Sequence, residues 1–133
     1  MANSFNISKA VDVTIAGPLM SIDAPLSGST VQQPFVASGW AVDLAATNGV
    51  GVDAVHIWAT PVGGGTPVFV GAATRGGVRD DVGAAFGTQF TNSGYTSAVS
   101  GLTPGAYDIG VYAHDALTGT FNQQQLARVT IAR

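Results

Sequence analysis

Residues 54–60, with the sequence AVHIWAT, decide the fold class of this chain of 133 residues. Val55, Ile57 and Ala59 form one apolar row, and the residues between them form an opposite row of polar and aromatic groups. Such alternation is the pattern of a half-buried β-strand, because successive side chains of a strand point to opposite faces. The stretch therefore predicts a strand with one face toward a core.

The same alternation recurs along the chain, interrupted by turns rich in glycine, proline and asparagine. It predicts strands at residues 10–16, 19–23, 33–43, 54–60, 67–74, 95–102, 106–114 and 125–132. One helical turn is predicted at residues 80–86, with Asp80 or Asp81 as its N-cap and an ion pair to Arg75 or Arg79. About seven or eight short strands without a long helix indicate an antiparallel β-sandwich. Trp40, which alternates with Val36 and Val42, is predicted in the core.

The composition excludes several function classes. A net charge of −3 gives no basic surface for nucleic acid or an anionic membrane. No apolar run approaches the roughly 18 residues that a membrane-spanning helix needs. Charged residues make up 10% of the chain, whereas about a quarter is typical. A surface so poor in charge tends to self-associate or to be covered by neighbours.

Catalysis is not expected from these residues. The absence of cysteine excludes thiol chemistry and disulfides. A serine or threonine nucleophile would need a base, and only His56 and His114 are available. The adjacent acids Asp80 and Asp81 are explained by the helix start. No cofactor is predicted.

Two metal hypotheses stand beside simpler explanations of the same residues. Asp43 and Asp53 flank a loop and could offer oxygen ligands to Ca²⁺, although aspartate is also a common turn residue. His56 and His114 are predicted on neighbouring strands, where two imidazoles could hold a transition metal. Neither pair has a third ligand at a recognisable spacing.

A repeated tetrapeptide points to assembly. Val-Thr-Ile-Ala occurs at residues 13–16 and again at 129–132, a separation of about one small β-domain. Residues 1–17 are therefore predicted to be an extension strand, either the last strand of a preceding repeat or a donor strand, and residues 18–133 the domain itself. In this strand Val11, Val13 and Ile15 form the apolar row.

The segment GLTPGAYDIGVYA, residues 101–113, resembles fibronectin type III and related immunoglobulin-like domains. The resemblance implies that Tyr107 forms a tyrosine corner, with its hydroxyl bonded to the backbone a few residues upstream. Other stretches, such as GWAVD at 39–43 and DVGAAFG at 81–87, resemble immunoglobulin-like repeats of large bacterial surface or secreted proteins. Such domains are mostly spacers, adhesive modules or appendages to enzymes.

The face opposite the apolar rows is the candidate binding surface. It is predicted to carry His56, Trp58, Tyr112, His114 and Arg128, a platform that could stack a sugar ring or pack against a neighbouring subunit. The alternative is that Trp58 is the core tryptophan common in immunoglobulin-like sandwiches, with the alternation displaced by one residue.

The expected function is therefore structural. The sequence is interpreted as a non-catalytic module of a longer exported bacterial protein, located at the cell surface or outside the cell. It is expected to contact neighbouring repeats, or to self-assemble head-to-tail by strand addition of residues 10–16. The alternative is an adhesive module that binds a glycan or a protein through its aromatic face.

Overall fold

The computed structural model describes residues 17–133, so the predicted strand at residues 10–16 lies outside the described part. The elements, in chain order, are β1 (Pro18–Ala24), β2 (Thr30–Val31), β3 (Phe35–Asp43), β4 (Val52–Pro61), β5 (Val68–Ala72), β6 (Thr74–Gly77), α1 (Asp80–Phe86), a 3₁₀ turn (Thr88–Phe90), β7 (Gly94–Val99), β8 (Gly105–Asp115) and β9 (Thr120–Ile131).

The strands form two sheets. One has five strands in the order β2-β9-β8-β4-β5, and the other has four in the order β1-β3-β7-β6. All pairs are antiparallel except β2 with β9, which are parallel through Thr30 and Val31. The predicted antiparallel sandwich is confirmed, with nine strands in the described part. Two were missed: β2 has only two residues, and the predicted strand at 67–74 divides between the two sheets.

The main core lies between the inner faces of the sheets. Its fully buried members from the five-stranded sheet include Val55, Ile57, Ile109, Val111 and Val129. The opposing strand β3 contributes mainly small side chains to this core. Tyr95 of β7 fills the space that these small residues leave.

The prediction that Trp40 lies in the main core is wrong. Trp40 is half-buried on the outer face of β3, where its ring lies 5.9 Å from the Phe86 ring of α1. It belongs to a second cluster with Val42, Val82 and Phe90. Helix α1 and the 3₁₀ turn cover this end of the sheet, so the outer row of β3 gains a small core of its own.

The helix start also differs from the prediction. Helix α1 spans the predicted residues, but Arg79 is its N-cap and no side chain caps it. Asp81 instead accepts two hydrogen bonds from the Arg79 guanidinium, at 3.0 and 2.8 Å. These bonds lower the pKa of Asp81 below its ordinary value. The predicted ion pair is present, whereas neither Asp80 nor Asp81 is a cap.

Tyr107 forms the predicted tyrosine corner. Its hydroxyl donates a hydrogen bond of 2.8 Å to the carbonyl oxygen of Thr103, four residues upstream. The ring is buried in the main core. The corner therefore joins the turn before β8 to the first buried residue of that strand.

Replacing Tyr107 with phenylalanine should lower the free energy of unfolding by about 1 kcal/mol, because one buried hydrogen bond is lost while the ring remains. Urea unfolding of both proteins measures the difference. Tyr112→Phe is the matched control, since the Tyr112 side chain lies on the outer face and should change stability less. Equal losses in the two variants would show that the corner bond has no special role.

Candidate binding face of the five-stranded sheet

The predicted platform residues lie together on the outer face of the five-stranded sheet. His56 lies opposite Tyr112 across the β4–β8 pair, and Arg128 lies opposite Asp108 across the β8–β9 pair. Trp58 is half-buried on this outer face and is not part of the main core. The alternation of residues 54–60 therefore has the predicted phase, and the core alternative for Trp58 is wrong.

Two phenylalanines that the sequence analysis missed complete the face. The Phe69 ring of β5 lies 5.2 Å from the His56 ring and 5.1 Å from the Trp58 ring. The Phe121 ring of β9 lies 4.7 Å from His56 and 4.8 Å from His114. Phe69 and Phe121 are 48% and 46% exposed, so about half of each side chain remains open to a ligand.

A β-bulge explains why Phe121 was missed. The register of β9 shifts between Phe121 and Gln123, so Phe121 lies opposite His114 and Gln124 lies opposite Tyr112. A bulge inserts one extra residue and reverses the phase of the alternation beyond it. Arg128 lies on the outer face, and strict alternation from it would place Phe121, seven residues earlier, on the inner face. The bulge brings Phe121 to the outer face instead.

Gly110 lets the Tyr112 ring lie close to the sheet at the centre of the face. Gly110 lies between Trp58 and Leu126 in the sheet register. A Cβ atom at Gly110 would lie 2.9 Å from Cε1 of Tyr112 and 3.2 Å from Cδ2 of Leu126. The Tyr112 ring therefore leans over the position that a larger residue would occupy. Beside this ring lies a hollow that has a volume of about 290 Å³ and is lined by His56, Trp58, Tyr112 and Phe121.

Two ion pairs border the aromatic residues. Arg128 donates hydrogen bonds of 2.9 and 3.1 Å to the two carboxylate oxygens of Asp108 and lowers the pKa of that carboxyl group. On the other side, Nδ1 of His114 lies 2.5 Å from Oδ1 of Asp53, and this hydrogen bond raises the pKa of His114. Exposed pairs of this kind add little stability. They do place donors and acceptors beside the aromatic rings.

The two histidines lie on one face, as predicted, but their surroundings do not resemble a metal centre. The Phe121 ring contacts both imidazoles, and Nδ1 of His114 is bonded to Asp53. Within residues 17–133, no three histidine, aspartate or glutamate side chains are grouped so as to hold a metal ion.

Asp43 and Asp53 do not converge on the loop between them. Asp53 is exposed and bonded to His114, whereas Asp43 is buried and hydrogen-bonded to Asp115. Asp115 also accepts hydrogen bonds from the amide of Leu117, at 2.8 Å, and from Nδ2 of Asn122, at 3.0 Å. The aspartates on either side of the loop therefore have separate structural partners.

The open edge of β9 is the second candidate feature. The last part of this strand is hydrogen-bonded on its outward side to residues 28–31. The Arg128 carbonyl accepts from the Gly28 amide, and the amides of Thr130 and Ala132 donate to the carbonyls of Ser29 and Val31. Because alternate residues of an antiparallel strand direct their peptide groups to the same side, those of Gln124 and Leu126 also point outward. No backbone partner within residues 17–133 meets them.

The first described residues, Gly17 and Pro18, lie near the start of β9. The carbonyl of Pro18 accepts a hydrogen bond of 2.8 Å from Nε2 of Gln123, and the carbonyl of Gly17 accepts one of 2.8 Å from the Leu44 amide. Residue 17 thus lies beyond the end of β3 and close to the start of β9. The predicted assembly residues Val11, Val13 and Ile15 lie outside the described residues.

No helix within the described residues is long and apolar enough to cross a membrane. No family model and no curated protein matches the chain.

Solved structures that resemble the chain are distant in sequence. The fibronectin(III)-like modules of CbhA from Clostridium thermocellum are 15% identical, with a TM-score of 0.45 over 85% of this chain and 94% of theirs. CopC from Methylosinus trichosporium OB3b is 12% identical, with a TM-score of 0.48 over 86% and 92%. A Thermotoga maritima protein assigned provisionally as a superoxide reductase is 10% identical, with a TM-score of 0.50 over 94% and 92%.

At these identities the likeness concerns the fold alone. The described residues form an antiparallel, immunoglobulin-like β-sandwich of two sheets.

Proposed function

We propose that this chain is a non-catalytic structural module of a longer exported bacterial protein, located at the cell surface or outside the cell. We further propose that it assembles head-to-tail, with residues 10–16 of one copy adding to the edge of β9 in the next. The open edge of β9 at Gln124 and Leu126 carries this proposal.

The edge and the donor segment are complementary. An exposed edge strand presents unpaired N–H and C=O groups, which an added strand satisfies through main-chain hydrogen bonds. Val11, Val13 and Ile15 alternate along residues 10–16 and would supply an apolar row for one face of the extended sheet. With charged residues at only 10% of the chain, little repulsion opposes contact between copies.

The direction of the chain favours a partner over self-pairing. Strand β1 begins at Pro18, and Gly17 already lies past the end of β3. If the residues before Gly17 continued in the direction of β1, they would lead away from the domain. Pairing with β9 of the same copy would instead require the chain to reverse its direction just before Gly17. Donor and acceptor are different surfaces, so the contact propagates a filament or closes a ring.

Deletion of residues 1–16 should abolish assembly, because it removes the donor strand and leaves the described sandwich intact. We expect the full chain to gain mass with concentration and the deleted chain to stay monomeric, as measured by light scattering coupled to size exclusion. Electron microscopy of the full chain should show filaments or rings.

A point variant tests the acceptor edge separately. Gln124→Pro removes the outward N–H of Gln124 while leaving the bonds of β9 to β8 in place, so it should block assembly. Gln124→Ala keeps the main-chain donor and is the matched control. Thermal unfolding monitored by circular dichroism confirms that each variant is folded. A deleted chain with the same mass as the full chain would refute strand addition, as would a full chain that stays monomeric.

A further inference from the structure

We propose that the aromatic outer face is a binding site for a neutral saccharide, with one pyranose ring stacked in the hollow between Trp58, Tyr112 and Phe121. This inference is independent of strand addition, because the site consists of side chains on the sheet face and not of main-chain groups at its edge.

The aromatic patch is contiguous. His56 contacts both Phe69 and Phe121, and Phe69 also contacts Trp58. Single exposed apolar residues are ordinary on a protein surface, whereas a connected exposed patch marks a contact site. The rings of His56, Trp58, Phe69 and Phe121 each pack against at least one other, so little of their side-chain freedom remains to be lost when a ligand binds.

The size of the hollow favours a small ligand. Its volume of about 290 Å³ is near the lower end of the range of roughly 300–1,000 Å³ that small-molecule sites occupy. A Cβ atom at Gly110 would meet the Tyr112 ring that lines the hollow, so a larger residue there would displace this wall of the site.

The polar side chains around the hollow can form hydrogen bonds with the hydroxyl groups of a ligand. Arg128 paired with Asp108 and His114 paired with Asp53 flank the rings, and Gln124 lies opposite Tyr112 on the exposed side of β9. Carboxylate oxygens accept hydrogen bonds, and the guanidinium and amide groups donate them. The opposite charges of Arg128 and Asp108 cancel, and Asp53 is hydrogen-bonded to His114, so the border favours a neutral polar ligand over a strongly charged one.

A pyranose combines both properties that this face selects. Its C–H face is apolar and stacks on aromatic rings, while its hydroxyl groups lie around the edge and reach the polar border. Aromatic rings with a polar surround suit ligands that are apolar on one side and hydrated on the other.

The two tryptophans allow a site-specific test on the full chain. Trp58 lies on the proposed site, and Trp40 lies on the other sheet beneath α1. Titration with neutral hexasaccharides of glucose, mannose, xylose and N-acetylglucosamine, followed by ¹H–¹⁵N NMR, should shift the Trp58 indole N–H signal with at least one of them. The Trp40 signal should remain unchanged.

Matched variants locate the binding energy. Trp58→Ala and Phe121→Ala should each weaken saccharide binding at least roughly 10-fold, which corresponds to about 1.4 kcal/mol. Phe86→Ala, which removes an aromatic ring of α1 on the far side of the domain, should leave the affinity unchanged. Gly110→Ala should weaken binding by displacing Tyr112, with a folded spectrum elsewhere.

Three results would overturn the proposal. The first is the absence of a Trp58 shift with every neutral hexasaccharide at millimolar concentration. The second is tighter binding of a hexamer of galacturonic acid than of the neutral sugars. The third is a change in the mass of the protein caused by Trp58→Ala, which would assign the face to contact between copies of the chain.

Discussion

Replacing Asp115 with alanine is expected to lower the free energy of unfolding by about 2–4 kcal/mol. The Asp115 side chain is only 1% exposed. Its carboxylate accepts hydrogen bonds from the Leu117 amide and from Asn122, and it is hydrogen-bonded to Asp43. Alanine would leave these donors without their acceptor at the turn that joins β8 to β9, and would leave a cavity at a buried position.

Replacing Asp43 with asparagine is expected to change the stability little, in contrast to replacing Asp115 with alanine. Burial, together with the hydrogen bond to Asp115, raises the pKa of Asp43 above its ordinary value. Burial acts in the same direction on Asp115, but the hydrogen bonds from Asp43, Asn122 and nearby amides outweigh it and lower that pKa. The pair therefore shares one proton, with Asp43 as donor. Asp43→Asn imitates this state through its amide group and should be close to neutral in stability.

The same pair predicts a pH dependence. A raised pKa in the folded state contributes stability that is present below the unfolded pKa and is lost as pH rises through the folded pKa, so the ionisation of Asp43 destabilises the protein. The lowered pKa of Asp115 contributes stability that is lost as pH falls through its folded pKa. The contribution of the pair is thus greatest in acidic solution, between these two values.

Urea unfolding across a range of pH tests both parts of this prediction. The wild-type protein should lose stability as pH rises from the ordinary aspartate pKa through the raised pKa of Asp43, and Asp43→Asn should lack that loss. Asp115→Ala should be destabilised throughout. If Asp115→Ala lowers the free energy of unfolding by less than about 0.5 kcal/mol, or if Asp43→Asn keeps the loss through the Asp43 pKa, the shared-proton interpretation is wrong.

The fold could be predicted from the sequence where local pattern and tertiary packing agree. The rows of residues 54–60 and 106–114 have the phase that the structure shows, because each strand buries one face against the other sheet. Tyr107 could be placed because its corner uses a short-range motif. These features depend on neighbours in the chain, so period and turn chemistry are sufficient.

The errors arise where distant elements decide the outcome. Trp40 leaves the main core because α1 covers the outer face of β3, and alternation alone cannot show which face a helix covers. Asp43 and Asp115 are 72 positions apart in sequence, and only the sheet arrangement brings their carboxyl groups together. Phe121 required a bulge that has no glycine to signal it.

Strand β9 supports the two proposed interactions through different groups. Its outward peptide groups at Gln124 and Leu126 form the open edge, whereas the Phe121 and Leu126 side chains lie on the aromatic face. Strand addition would extend the sheet sideways without covering that face. An assembled chain would therefore present the aromatic hollow once per copy, and multivalent contact raises the avidity of weak single sites.

Replacing Gly39 with alanine should be among the most destabilising single changes in the domain, at about 3–5 kcal/mol. A Cβ atom at Gly39 would collide with the carbonyl oxygen of Ser21 in β1 and would lie 2.7 Å from the Tyr95 hydroxyl. The Tyr95 hydroxyl reaches across β3 at this point and donates a hydrogen bond of 2.9 Å to that carbonyl. Burial raises the pKa of Tyr95, which keeps the hydroxyl protonated as a donor.

A double variant identifies which contact matters. Tyr95→Phe alone should cost about 1 kcal/mol, through the lost hydrogen bond. Combining it with Gly39→Ala should not restore stability, because the collision with the Ser21 carbonyl is with main chain and persists without the hydroxyl. Val36→Ala, at an exposed position of the same strand, should cost less than about 1 kcal/mol. Rescue of Gly39→Ala by Tyr95→Phe in urea unfolding would show instead that β1 can move away from β3. In that case the Tyr95 hydroxyl, and not the close contact between the β1 and β3 backbones, would hold β1 in place.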